Sequence, residues 1–131
     1  MNTGRKRILI VDDDESICNT LKLLLEVRRC DVDIVNTGKQ AMEKAETNFY
    51  DVAILDVKLP DIEGTELLKP LRKISPKTIR IMLTGYPELD NAIKSLNDGA
   101  DAYFIKPVDP AKLVKTIEEK LDEQNTVANA P

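Results

Sequence analysis

Five polar residues stand where apolar runs stop: Asp12 and Asp13 after Ile8-Leu9-Ile10-Val11, Asp56 after Val52-Ala53-Ile54-Leu55, Thr84 after Ile79 to Leu83, and Lys106 after Ala102 to Ile105. If the two runs that carry the aspartates are neighbours, three carboxylates converge. Like charges so close raise one another's pKa and destabilise the fold unless a cation sits among them. Hard carboxylate oxygens with no His or Cys nearby suit Mg²⁺, which takes few protein ligands and keeps water or phosphate oxygens for the rest of its octahedron. Lys106 can balance phosphate charge from the other side, and Thr84 can donate a hydroxyl hydrogen bond to a phosphate oxygen. Singly, each residue has an ordinary explanation: aspartates are common in turns, Asp12-Asp13-Asp14 can simply open a helix, Thr84 can end a strand and Lys106 can be a loop lysine. Their joint placement points to magnesium-assisted phosphoryl chemistry.

The elements that must position them follow from the pattern of apolar residues. Ile8 to Val11, Val32 to Val35, Val52 to Leu55, Ile79 to Leu83 and Ala102 to Ile105 are short apolar runs, expected of strands buried on both faces. Between them, Ile17, Leu21, Leu24 and Leu25 share a helix face that Asp14 could cap; Thr37-Gly38 starts a helix through Ala41, Met42 and Ala45. A third helix after Gly64 runs through Leu67, Leu68 and Leu71, and Pro70 inside it predicts a kink or a late start. Leu89, Ala92, Ile93 and Leu96 mark a fourth helix closed by Gly99, and a fifth, from about Pro110 to Gln124, turns Leu113, Ile117 and Leu121 inward. Five strands alternating with five helices predict an α/β, doubly wound parallel sheet with right-handed crossovers. Strand order 2-1-3-4-5 would set strands one and three side by side and put the ligand site at the carboxyl ends of the strands.

Composition narrows the possibilities. The 131 residues, 42% hydrophobic and 32% charged, suffice for one domain with a real core. The absence of histidine excludes a His general base, a Ser-His-Asp triad and a His-ligated zinc site. Cys18 and Cys30 form no metal pattern or disulfide framework, so they are expected to be packing residues in a reducing compartment. With no run of about 18 apolar residues and no apolar stretch behind the first charges, neither a membrane span nor a signal peptide is expected, which implies a cytoplasmic protein. The formal charge of −4 argues against nucleic-acid binding; the Arg5-Lys6-Arg7 cluster is expected to be a solvated lead-in to the first strand.

Four separated stretches carry a resemblance: Val11-Asp12-Asp13-Asp14; Asp56-Val57-Lys58-Leu59-Pro60 with Gly64; Thr84-Gly85-Tyr86; and Tyr103-Phe104-Ile105-Lys106-Pro107. In order and spacing, from about Arg5 to Gln124, the chain resembles the receiver domain of two-component response regulators (the CheY-like family). The resemblance implies a five-stranded (βα)5 flavodoxin-like fold in which Asp56 takes a phosphoryl group from a phosphohistidine on a sensor histidine kinase or phosphotransfer protein. It implies Mg²⁺ held by Asp13, Asp56 and the Lys58 backbone carbonyl, with Asp12 supporting through water. Lys106 would pair with the phosphoryl group, Thr84 would move toward it, and Tyr103 would swing inward afterwards. The surface of helix four, strand five and helix five would then signal to an output domain or downstream protein. Such a domain promotes its own phosphorylation and dephosphorylation without being a dedicated turnover enzyme. Leu59 stands where Met is frequent in the family, a volume-conserving change. Lys58 and Tyr86 flank the approach of a hydrolytic water and would tune the phosphoryl lifetime.

Two other functions stay open on sequence alone. Asp12-x-Asp14 with Ser16 loosely resembles the nucleophile motif of haloacid-dehalogenase-type phosphatases, in which Asp12 would be phosphorylated; the cap and later acidic pair of such enzymes are not found. The other is a receiver-like module that binds a partner without being phosphorylated, against which the retention of all five rim residues argues. Residues 1–124 are expected to form the domain, with 125–131 a tail or the start of a linker. Helix four and helix five offer a face for a phosphorylation-dependent homodimer, equally consistent with a monomer.

Overall fold

The computed structural model of the protein describes residues 4–85 and 89–128. The elements alternate as the sequence predicts: β1 (Arg7–Val11), α1 (Glu15–Val27), β2 (Asp31–Val35), α2 (Gly38–Thr47), β3 (Val52–Asp56), α3 (Leu68–Ile74), β4 (Ile79–Thr84), α4 (Leu89–Asn97), β5 (Ala102–Ile105) and α5 (Pro110–Ala128). The sheet is parallel, in the order β2-β1-β3-β4-β5. This is the doubly wound, flavodoxin-like arrangement, and it makes β1 and β3 neighbours, with Val11 beside Leu55.

Because successive strand residues point to opposite faces, the apolar runs feed two cores. On one face Ile8, Ile10, Val52, Ile54, Ile79, Ile81 and Leu83 pack against Leu21 and Leu25 of α1 and Leu113, Val114 and Ile117 of α5. On the other, Leu9, Val11, Ala53, Leu55 and Met82 meet Ala41 of α2 and Leu67, Leu68 and Leu71 at the start of α3. Each fully buried Leu or Ile contributes roughly 1.5–3 kcal/mol relative to exposure, so the two layers hold the strand ends in fixed register. Cys18 and Cys30 are buried and unlinked, as packing residues. Asp14 caps α1 by accepting from the Ser16 and Ile17 amides, and Thr37 caps α2 by accepting from Gln40.

Pro70 acts as the sequence suggests, through a late start. Residues Gly64–Leu67 form a 3₁₀ turn, and the α-helix begins only at Leu68. Pro70 thereby falls in the first turn, where its missing N–H would have had no helical partner. The basic lead-in is more ordered than a solvated segment: Arg5 pairs with Asp31 at 2.8 Å, while Arg7 pairs with Asp33 at 3.5 Å and lies over the Tyr50 ring.

Two details depart from the sequence reading. The last helix runs four residues past Gln124, to Ala128. The apolar side of α4 is not its buried side: Ile93 and Leu96 are 51% and 52% exposed, whereas Ser95 between them is fully buried. Gly99, at φ 116°, ends that segment as expected, and Arg80 fastens it by donating from Nε to the Gly99 carbonyl at 2.7 Å.

Candidate metal and phosphoryl site

Parallel pairing of β1 with β3 and of β4 with β5 brings the strand-terminal residues to one rim. Asp12, Asp13 and Asp56 each offer a carboxylate oxygen within 4.8 Å of the others. Lys106 reaches across from the end of β5, its Nζ 2.9 Å from Asp12 Oδ2 and 3.3 Å from Asp56 Oδ2. Thr84 is fully buried beside it, and its carbonyl accepts the Lys106 backbone N–H at 2.7 Å.

The three acids are not equivalent. Asp12 is buried and engaged at both oxygens, accepting from the Asp14 amide at 2.9 Å and from the Lys106 ammonium. Among the described residues Asp56 accepts one backbone bond, from the Lys58 N–H at 3.2 Å, and it faces a cleft of about 500 Å³ with Asp13, Lys58, Leu59, Pro60, Gly85 and Lys106 on its walls. Asp13 is exposed at the mouth. Burial, and then the charge of Asp12, push the Asp56 carboxyl up to about 6, against the opposing pull of the Lys58 amide and Lys106. Burial works against the charge on Lys106, yet its hydrogen bond to Asp12 and the two carboxylate charges raise its pKa overall. One ammonium thus leaves a carboxylate excess. An all-oxygen donor set with surplus negative charge fits a hard divalent cation such as Mg²⁺, with open positions for phosphate oxygens.

The close approach that forms this cleft depends on Gly64. A Cβ there would overlap the Asp56 backbone carbonyl, so only glycine lets the 3₁₀ turn pack behind β3. Cys18 braces Asp12 from the core: its thiol donates to the Asp12 carbonyl at 3.5 Å, and burial pushes it up to about 12, so it remains protonated.

The structure brings together Asp12, Asp13, Asp56, Lys58, Thr84 and Lys106 from the sequence-selected set. Tyr103 stands apart on β5, opposite Met82, packed partly buried against the second core layer. Its hydroxyl is buried and meets no hydrogen-bond partner among the described residues. Tyr86 lies outside the described residues. Sequence reasoning missed Asp61, whose carboxylate reaches the start of α2; the Pro60-Asp61 pair signals a turn, but nothing local shows what it docks on. The arrangement also separates the two candidate nucleophiles, since Asp56 opens to the cleft and Asp12 does not.

Comparison with known proteins agrees with this geometry. The sequence profile described as "Response regulator receiver domain" matches residues 8–118. The chain is similar to a receiver domain protein (CheY-like) of Methanospirillum hungatei JF-1, with 49% identity, a TM-score of 0.90, and coverage of 94% of this chain and 98% of that one. It is also similar to the beryllofluoride-activated NtrC4 receiver domain dimer, at 32% identity and a TM-score of 0.85, over 90% of this chain and 98% of that one. Among curated sequences, the transcriptional regulatory protein ZraR of Klebsiella oxytoca is 37% identical over 114 residues, 87% of this chain and 26% of that protein. The chain spans between 26% and 55% of the length of such curated relatives.

Proposed function

Since this chain belongs to the response regulator receiver domain family, we propose that Asp56 accepts a phosphoryl group from a phosphohistidine of a sensor histidine kinase or phosphotransfer protein. The observation that carries this is the Asp56 carboxylate in an open cleft, 3.3 Å from the Lys106 ammonium and grouped with two further acids. A carboxylate oxygen of Asp56 attacks phosphorus in line, the phosphorus–nitrogen bond breaks, and the histidine nitrogen leaves with the electron pair. Asp13, Asp56 and the Lys58 carbonyl would hold Mg²⁺, with Asp12 supporting through water, and the ion would supply charge neutralisation for the phosphoryl oxygens. Lys106 balances charge from the opposite wall, and the Thr84 hydroxyl turns to a phosphoryl oxygen.

The added charge biases a two-state packing of α4, β5 and α5 through Thr84 and Tyr103. Three features support that surface as the output: half-exposed Ile93, Leu96 and Ile105, and the buried hydroxyls of Tyr103 and Ser95, which meet no hydrogen-bond partner among the described residues. Its reader is an output domain or downstream protein, or a second copy as in the NtrC4 receiver dimer. Residues 1–124 are taken as the signalling unit and 125–131 as a C-terminal tail or the start of a linker; α5 continues as helix up to Ala128. The protein acts in the cytoplasm as a phosphoacceptor and not as a turnover enzyme; among the described residues no helix is long and apolar enough to cross a membrane.

The test is site mapping. After incubation with a small-molecule phosphodonor and Mg²⁺, the acyl phosphate is trapped chemically and located by peptide mass spectrometry. Label on Asp56 is expected. Label on Asp12 would indicate a phosphatase-like enzyme, and no label with any donor would leave a binding module.

A further inference from the structure

Between β3 and the 3₁₀ turn, residues 57–63 fold back on themselves along the wall of the cleft. Lys58 and Glu63 form an isolated antiparallel bridge, and the Gly64 N–H donates to the Val57 carbonyl at 2.6 Å. Those contacts hold the root of the loop. Its tip is held from elsewhere in the chain: Asp61 accepts from the Gly38 N–H at 2.8 Å with one carboxylate oxygen and from the Lys39 N–H at 3.0 Å with the other.

Both amides belong to the first turn of α2, where no intrahelical acceptor exists, and where a negative charge is also favoured by the helix dipole. The side chain of Thr37, the local cap, accepts from the Gln40 amide. The Gly38 and Lys39 amides hold the exposed Asp61 carboxyl below the usual carboxylate range. A second contact fixes the same tip, because Ile62 lies so near Gly38 that a Cβ on the glycine would overlap the Ile62 side chain. The loop that carries Lys58, Leu59 and Pro60 past Asp56 is therefore anchored at both ends.

We infer that Asp61 is a positioning residue for the acidic site: by clamping the loop tip to the start of α2, it holds the Lys58 backbone where its carbonyl can serve a magnesium ion. The inference rests on the proposal that Asp12, Asp13 and Asp56 form a magnesium site. Magnesium tolerates little departure from octahedral geometry, with ligands at about 2.0–2.1 Å. A ligand on a loop that is free to shift by about 0.5 Å is a poor one. A role as helix cap alone would make Asp61 matter for stability and not for the metal.

Magnesium titration by calorimetry into the unphosphorylated protein separates these roles, with Asp61→Ala, Asp61→Asn and Gly38→Ala compared to the parent and urea unfolding run alongside without metal. Asp61→Ala is expected to raise the magnesium Kd by roughly 3–10-fold, toward the low end of effects seen for groups that support metal ligands. Asp61→Asn, which keeps one oxygen for Gly38, should lose less, and Gly38→Ala should resemble Asp61→Ala because its methyl displaces Ile62. At saturating Mg²⁺ the phosphorylation rate of each variant should return to the parental value. A Kd that stays within about twofold of the parent in folded Asp61→Ala and Gly38→Ala, with only the urea midpoint lowered, overturns the inference. A parent that takes up no Mg²⁺, or whose uptake survives Asp13→Asn, instead overturns the magnesium reading, and the inference falls with it.

Discussion

The Lys106 ammonium lies 3.3 Å from the Asp56 carboxylate, yet the Asp56 carboxyl is pushed up to about 6. A cation at that distance should favour the charged carboxylate. Burial and the neighbouring Asp12 outweigh it, because Lys106 also serves Asp12 at 2.9 Å. The site is left with more negative charge than its one lysine balances, and this imbalance underlies the expectations that follow.

Asp13→Asn should raise stability in the absence of Mg²⁺ and weaken Mg²⁺ binding by about tenfold or more, because repulsion is relieved while a ligand is lost. Urea unfolding with and without the metal reads both effects, since ligand binding to the native state adds to stability. A magnesium response equal to that of the parent would remove Asp13 from the site.

The raised Asp56 carboxyl makes stability depend on pH. Its folded value of about 6 lies above the ~3.9 of an unfolded aspartate, so the native state binds its proton more tightly. That contribution is fully present below about pH 4 and is lost as pH rises through about 6. In metal-free buffer at pH 7, Asp56→Asn should therefore be more stable than the parent by ~2 kcal/mol, with the gap closing toward pH 4. Urea midpoints across that range check it, and a gap that is constant or widens toward acid would contradict it.

Gly64→Ala should cost ~2–4 kcal/mol, because its methyl would overlap the backbone carbonyl of Asp56 and the strand end cannot move without disturbing the site. Thermal or urea unfolding measures the loss. Stability within ~0.5 kcal/mol of the parent would mean that the turn can relax away from β3.

Lys58 lines the cleft beside Asp56; if Asp56 is the phosphoacceptor we propose, its cationic side chain would hinder a water approaching the acyl phosphate. Lys58→Asn combined with Tyr86→Ala should shorten the phosphoryl lifetime roughly 3–10-fold, equivalent to about 1 kcal/mol of barrier. The decay of trapped label over time measures it, and equal decay rates would remove the idea.

Much of this was legible in the chain because it is local. The continuous runs at Ile8 to Val11 and Val52 to Leu55 identify buried strands, and the polar residues that end them, Asp12 and Asp56, come together on one rim. Pro70 signalled the late start of α3 for a reason internal to its ring. What escaped the sequence depends on distant partners. Asp61 meets Gly38 and Lys39 only after α2 and the loop have packed together. The burial of Ser95 and exposure of Ile93 on α4, and the Arg80 side chain donating to the Gly99 carbonyl just beyond it, are likewise not encoded in the helical period of α4.

The decisive measurement is the intact mass of the parent, Asp56→Asn and Asp12→Asn after exposure to a small-molecule phosphodonor, with Mg²⁺ or with a chelator. The parent should gain one phosphoryl group only with Mg²⁺, Asp12→Asn should gain it more slowly, and Asp56→Asn should gain none. Uptake by Asp56→Asn at the parental rate, or loss of uptake in Asp12→Asn alone, would contradict Asp56 as the phosphoacceptor.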